Sequence, residues 1–144
     1  MLVQAILLPL FLMVLLTFVV GIVMAKRRRD AFASGTHFRD IALREPNWPK
    51  PALQAQYAYA NLFEMPVLFY VAVIVAIITR HADMVMVVLA WIYVVFRYLQ
   101  AFIHVTSNQV KYRGLSFGVS ALALMIMWIW LAIGIYLSAP VVAS

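Results

Sequence analysis

The sequence predicts an all-α integral membrane protein, a bundle of four membrane-crossing helices. Three observations carry that reading. Four long apolar runs divide the chain. Hydrophobic residues make up 67% of it, with a mean hydropathy of +0.99, whereas a soluble domain is about half apolar. The charged residues fall mostly in the connections between the runs. A chain of 144 residues has room for one domain, taken as 1–144.

The runs are expected as helices over about 2–25, 52–79, 84–107 and 115–139. Each is long enough to cross a hydrocarbon core of about 30 Å at about 1.5 Å per residue. In lipid every backbone N–H and C=O must be paired within the segment, so runs of this kind are helical. The first run has no basic start, and Lys26-Arg27-Arg28-Arg29 follows its apolar stretch. That charge order is the reverse of a secretory signal, which makes the run a retained span.

Charge also sets orientation. The first connection carries Lys26, Arg27, Arg28, Arg29, Arg39, Arg44 and Lys50, and the third carries Lys111 and Arg113. The second, Arg80-His81-Ala82-Asp83, is nearly neutral. Basic connections stay on the cytoplasmic side. The expectation is a multi-pass protein of a bacterial inner (plasma) membrane with both termini outside the cytoplasm. The excess of 11 basic over 5 acidic residues is thereby explained by membrane topology, and no nucleic-acid partner is expected. The first connection is also the long one, with Pro46, Pro49 and Pro51 to stop a helix and Trp48 suited to the interface; a lid and a basic tether are both compatible with it.

Two of the spans are not uniformly apolar. The second holds Gln54, Tyr57, Asn61 and Glu64, and the third Arg97, Gln100, His104 and Asn108. Spacings of three and four residues put each set on one helical face. Lipid offers such groups no partner, so both stripes face the bundle interior or a subunit interface. Glu64 lies about 18 Å, and Arg97 about 16 Å, from the basic side. In antiparallel helices that is one level, and a direct or water-bridged ion pair is expected between them. Tyr57 and His104 share a second level nearer the basic side. The stripes outline a funnel open to that side and closed by Glu64 and Arg97. Polar stripes also serve as glue between helices, and His104 suits either an interior hydrogen bond or a ligand contact. Tyr93, Tyr98, Trp128, Trp130 and the methionines read as packing, and Pro66 as a kink.

The absence of cysteine excludes a disulfide, a thiolate metal site and a cysteine nucleophile; any thiol chemistry needs a thiol brought in. His37, His81 and His104 belong to three different compartments, so no metal site is expected. Neither a glycine-rich phosphate loop nor a Ser-His-Asp set is present.

The segment Ala58-Tyr59-Ala60-Asn61-Leu62-Phe63-Glu64, with Pro66 after it, resembles the helix-two motif of the MAPEG family, membrane-associated proteins in eicosanoid and glutathione metabolism. The stretch from Arg97 to Arg113 is similar to the family's third helix and the arginine just beyond it. The resemblance covers the four-span layout and is closest to a divergent bacterial branch. It implies a homotrimer with glutathione as cofactor, bound between subunits toward the cytoplasm, and a lipophilic small molecule as partner. Carried over, Arg113 is the candidate catalytic residue that activates the thiol. Asn61, Glu64 and Arg97 match the family's motifs, and with Tyr57, His104 and Asn108 from the funnel they are the candidate substrate-binding residues. The family's helix-two arginines are replaced here by Gln54 and Tyr57, which implies weaker or different glutathione binding.

Two functions follow from these readings. One is a glutathione-dependent transferase or peroxidase acting on a lipophilic electrophile. The other is a non-catalytic membrane scaffold, or a lipid- or anion-binding protein, that has lost glutathione chemistry. A transporter fits least, since there is no repeat.

Overall fold

The computed structural model describes residues 2–43 and 47–138. Met1, Arg44, Glu45, Pro46 and the end of the fourth run from Ala139 lie outside the described residues. All regular structure among the described residues is helical: α1 Val3–Ala33, α2 Lys50–Asn61, α3 Met65–Ile78, α4 Met84–Val105 and α5 Val110–Leu137, with a short 3-10 turn at Phe38–Asp40. Since α2 and α3 continue one another, four units are long and apolar enough to cross a membrane.

Three boundaries differ from the sequence reading. The first helix does not stop at residue 25 but runs through the basic cluster to Ala33. Lys and Arg are good helix formers, and 31 residues extend about 46 Å, well beyond the hydrocarbon. It ends where Gly35 adopts φ 110° and the Thr36 N–H turns back to Ala31 O. The second span is broken at Leu62–Glu64. Pro66 has no N–H to offer the Leu62 carbonyl, and the chain tightens to i→i+3 bonds from Leu62, Phe63 and Glu64 to Tyr59, Ala60 and Asn61. The last helix begins at Val110, not Leu115, so Arg113 stands in its first turn.

The core is a periodic seam. α1 contributes Ile6, Met13, Leu16 and Val20, α3 Phe69, Val73 and Ala76, α4 Met86, Ala90 and Val94, and α5 Leu124, Met127 and Leu131. On α2 the buried positions are Ala52, Ala55 and Ala58. Small residues at this spacing let backbones approach closely where no hydrophobic force acts between helices. Phe69 stacks on Tyr93 at 4.6 Å. Tyr98 does more than pack: its hydroxyl donates to Leu12 O, tying α4 to α1.

The basic end is held by the extension of α1. Arg27 Nη2 donates to Val105 O at 2.6 Å and Nη1 to Pro51 O at 3.1 Å. This puts a cation on an orphan carbonyl at the C-terminus of α4, where the helix dipole favours it. Arg28 donates to Gln56 Oε1 at 2.9 Å and lies 5.0 Å from the Trp48 ring. At the opposite end Asp83 Oδ1 caps the Met86 N–H, while Oδ2 accepts from Trp130 Nε1.

Candidate functional site

α2 and α4 run antiparallel, so their polar stripes face one another up to the basic end. There they open into a cleft of about 410 Å³ lined by Lys50, Leu53, Gln54 and Tyr57 from α2, and by His104, Ser107, Asn108 and Arg113 around the α4–α5 turn. Its size falls within the ordinary range for small-molecule sites, roughly 300–1,000 Å³. Among these lining residues there is no carboxylate, and Lys50 and Arg113 bring two cations from different walls.

The α4–α5 turn positions Arg113. Asn108 takes the left-handed conformation, φ 51°, which asparagine tolerates better than most residues. Its N–H closes the turn on Ile103 O at 2.7 Å, and its Oδ1 accepts from Arg113 Nη1 at 2.7 Å. Arg113 is therefore tethered rather than swinging free. Both Lys111 and Arg113 lie in the first turn of α5, where the dipole already presents a partial positive charge and cations are disfavoured. The sequence pays for a positive potential at this end of the bundle, and such a potential attracts anions.

Of the seven expected site residues, four line the cleft: Tyr57, His104, Asn108 and Arg113. His104 is buried and forms the cleft's inner wall. Asn61 and Arg97 lie deeper and meet each other. Arg97 Nη2 donates to Asn61 O at 3.2 Å and to Asn61 Oδ1 at 3.3 Å. The expected direct ion pair between Glu64 and Arg97 is not formed. Among the described residues the ion pair is Arg29–Asp30, at 3.9 Å on the surface. Glu64 is exposed, in the break between α2 and α3. The depth count assumed a continuous helix; the break leaves Glu64 exposed, and the Asn61 carbonyl, which also takes the Glu64 N–H, accepts from Arg97 instead. The funnel is thus closed by Asn61 and Arg97, not by Glu64.

Arg97 is 2% exposed, and among the described residues its Nε and Nη1 have no hydrogen-bond partner, nor do the Tyr93 hydroxyl and Gln100 Oε1 on the same face of α4. This polar seam continues from His104 inward. Sequence reasoning did not place Lys50, Leu53, Gln54 or Ser107 among the site residues, although Gln54 lay on the α2 stripe. Ser107 follows the end of α4 by two residues, and its proximity to Asn108 was the available signal. Among the described residues no three His, Cys, Asp or Glu gather where they could hold a metal ion.

A model of the MAPEG family matches residues 6–133, nearly the whole chain. The chain belongs to the MAPEG family. Membership agrees with the four-span helical layout, and it covers both walls of the cleft. No curated protein and no solved structure matches the chain. As a MAPEG protein it is a multi-pass membrane protein whose cleft residues, not its fold, must be asked for an activity.

Proposed function

We propose that this MAPEG protein binds an anionic thiol, glutathione by family resemblance, in the basic-end cleft and uses it on a lipophilic electrophile delivered by the bilayer. The observation that carries the reading is the pairing of Lys50 and Arg113 across a cleft with no lining carboxylate among the described residues. Glutathione has two carboxylates and one thiol. The donor set fits it: Lys50 for a carboxylate, Gln54, Tyr57 and Asn108 for the peptide groups, and Arg113 for the thiol or the second carboxylate.

Glutathione, when bound, supplies the nucleophilic sulfur that this cysteine-free chain lacks. Arg113 is the catalytic candidate. A tethered guanidinium lowers the pKa of a thiol held beside it by favouring the thiolate. Asn108 is a positioning residue that acts through Arg113. His104 orients the bound group or donates a proton from the inner wall. Asn61 and Arg97 stiffen the floor of the cleft, and Glu64, exposed at the helix break, has no role in this account. We further infer a homotrimer in the inner membrane, with the cleft facing the cytoplasm.

The neutral Gln54 and Tyr57 on the α2 wall favour a second reading, an anion-binding scaffold without turnover. Conjugation of glutathione to an aryl halide by purified protein in detergent separates the two. The enzyme reading expects glutathione-dependent product that Arg113→Ala lowers by about 10²-fold, the typical effect of losing one charge-stabilising donor. Binding without product at any electrophile chain length supports the scaffold.

A further inference from the structure

A second feature lies on the flank of α1, away from the cleft. Two apolar hollows of about 370 and 500 Å³ run between α1 and the α2–α3 pair. They share Thr17, Phe18 and Phe63 and so form one furrow, from Leu10 and Ile74 to Ala25 and Tyr59. The distance from Leu10 to Ala25 along α1 is about 22 Å, against about 15 Å for the hydrocarbon of one leaflet. The lining is almost wholly apolar, and the Thr17 hydroxyl is already given to Met13 O at 3.1 Å. Gly21 makes the furrow's inner wall possible, because a Cβ there would stand 3.0 Å from Tyr59 Cε2.

Neither hollow is lined by an arginine, but helical spacing carries the furrow's rows on to guanidinium groups. The row Phe18, Ile22, Ala25 continues by helical spacing to Arg29, and the row Gly21, Met24 continues to Arg28. Arg29 is exposed. Arg28 bridges to Gln56, one turn from Tyr59 on the facing wall, and lies over the Trp48 ring; its Nε is buried without a hydrogen-bond partner among the described residues. Asp30, 3.9 Å from Arg29 Nε, neutralises only part of this charge. Neither arginine lines the cleft.

We propose that this furrow is a site for an anionic phospholipid, with one acyl chain along α1 between Leu10 and Ala25 and the phosphate against Arg28 and Arg29. Charge decides among the occupants. A second copy of the chain could cover the apolar part but would leave the exposed Arg29 cation unanswered. A zwitterionic lipid carries no net charge to match them. Cations at the membrane surface attract anionic headgroups, and Arg binds phosphate through paired N–H donors. The site depends on the membrane-spanning fold alone and stands or falls separately from glutathione binding.

The chain has no cysteine, so Ile22→Cys, in the furrow, can carry a benzophenone maleimide as the sole label. An Ile129→Cys label on the exposed face of α5 reports the bulk lipid. Protein is reconstituted in vesicles of equal phosphatidylglycerol and phosphatidylcholine with identical chains, illuminated, and the adducts are weighed. The expected result is a phosphatidylglycerol-to-phosphatidylcholine adduct ratio at Ile22 about fivefold above that at Ile129, the effect of about one headgroup–cation contact. Arg28→Gln with Arg29→Gln should return it to the Ile129 ratio. Arg29→Gln alone, at an exposed position, should lower it even where the double variant fails to fold. Equal ratios at the two positions, a ratio that Arg29→Gln leaves unchanged, or adducts mainly to a second copy of the chain would each overturn the proposal.

Discussion

Arg97 donates through a single nitrogen to both the backbone and side-chain oxygens of Asn61, at 3.2 and 3.3 Å. The contact exists because the span breaks after Asn61: the carbonyl at the end of α2 takes only a long bond from Glu64 N–H, 3.3 Å, and has a second lone pair for a donor from α4. A buried arginine is thus used to satisfy a helix end at membrane depth, where water cannot.

Asn61→Ala removes only the side-chain half of that contact. It should destabilise the protein by about 1–3 kcal/mol, the cost of leaving a buried polar group short of a partner. Glu64→Gln, at an exposed position with no ion pair within 4 Å among the described residues, should stay within about 0.5 kcal/mol. Equilibrium unfolding in mixed micelles checks both. A Glu64→Gln loss as large as that of Asn61→Ala would restore the ion pair.

The two residues also show what the sequence could and could not carry. Four spans, their antiparallel order and the two polar stripes were legible because helical period and bilayer thickness leave few alternatives. Tyr57 and His104 reach the same cleft for that reason. The partner of Arg97 was not legible. A depth count extrapolates a straight helix, and one proline two residues after Glu64 shifted the chain enough to exchange Glu64 for a backbone carbonyl. The length of α1 was missed on similar grounds: a change from apolar to basic residues marks the end of the membrane, not the end of the helix.

Asn108 separates backbone strain from tethering. Its φ of 51° costs an alanine about 1–2 kcal/mol and a glycine nothing. Asn108→Ala should lower the unfolding midpoint while Asn108→Gly should not. Both release Arg113 and should weaken anion binding equally. Binding that follows stability, weak in the alanine variant alone, would show that the Arg113 contact is incidental.

Asp83 holds the far end of the bundle through the Met86 cap and the Trp130 indole. Asp83→Ala should cost about 1–2 kcal/mol and shift tryptophan emission, since Trp130 loses its hydrogen bond. Glutathione affinity should be unchanged, the cleft being at the other end. A parallel loss of binding would mean that the two ends are coupled.

Orientation is tested at Ser34, the residue that ends α1. The basic extension of α1 is expected in the cytoplasm. A Ser34→Cys protein should resist a membrane-impermeant maleimide in intact cells and react after permeabilisation. Labelling in intact cells reverses the topology.

The central claim, that the Lys50–Arg113 cleft is an anion site suited to glutathione, is tested most directly by calorimetric titration of glutathione into the purified protein. Arg113→Ala and Lys50→Ala variants are titrated beside it. The account predicts saturable binding in the millimolar range or tighter. Each variant should weaken it about five- to tenfold, as expected for one charge-assisted contact of about 1–1.5 kcal/mol. No heat at millimolar glutathione, or binding that neither variant changes, would contradict it.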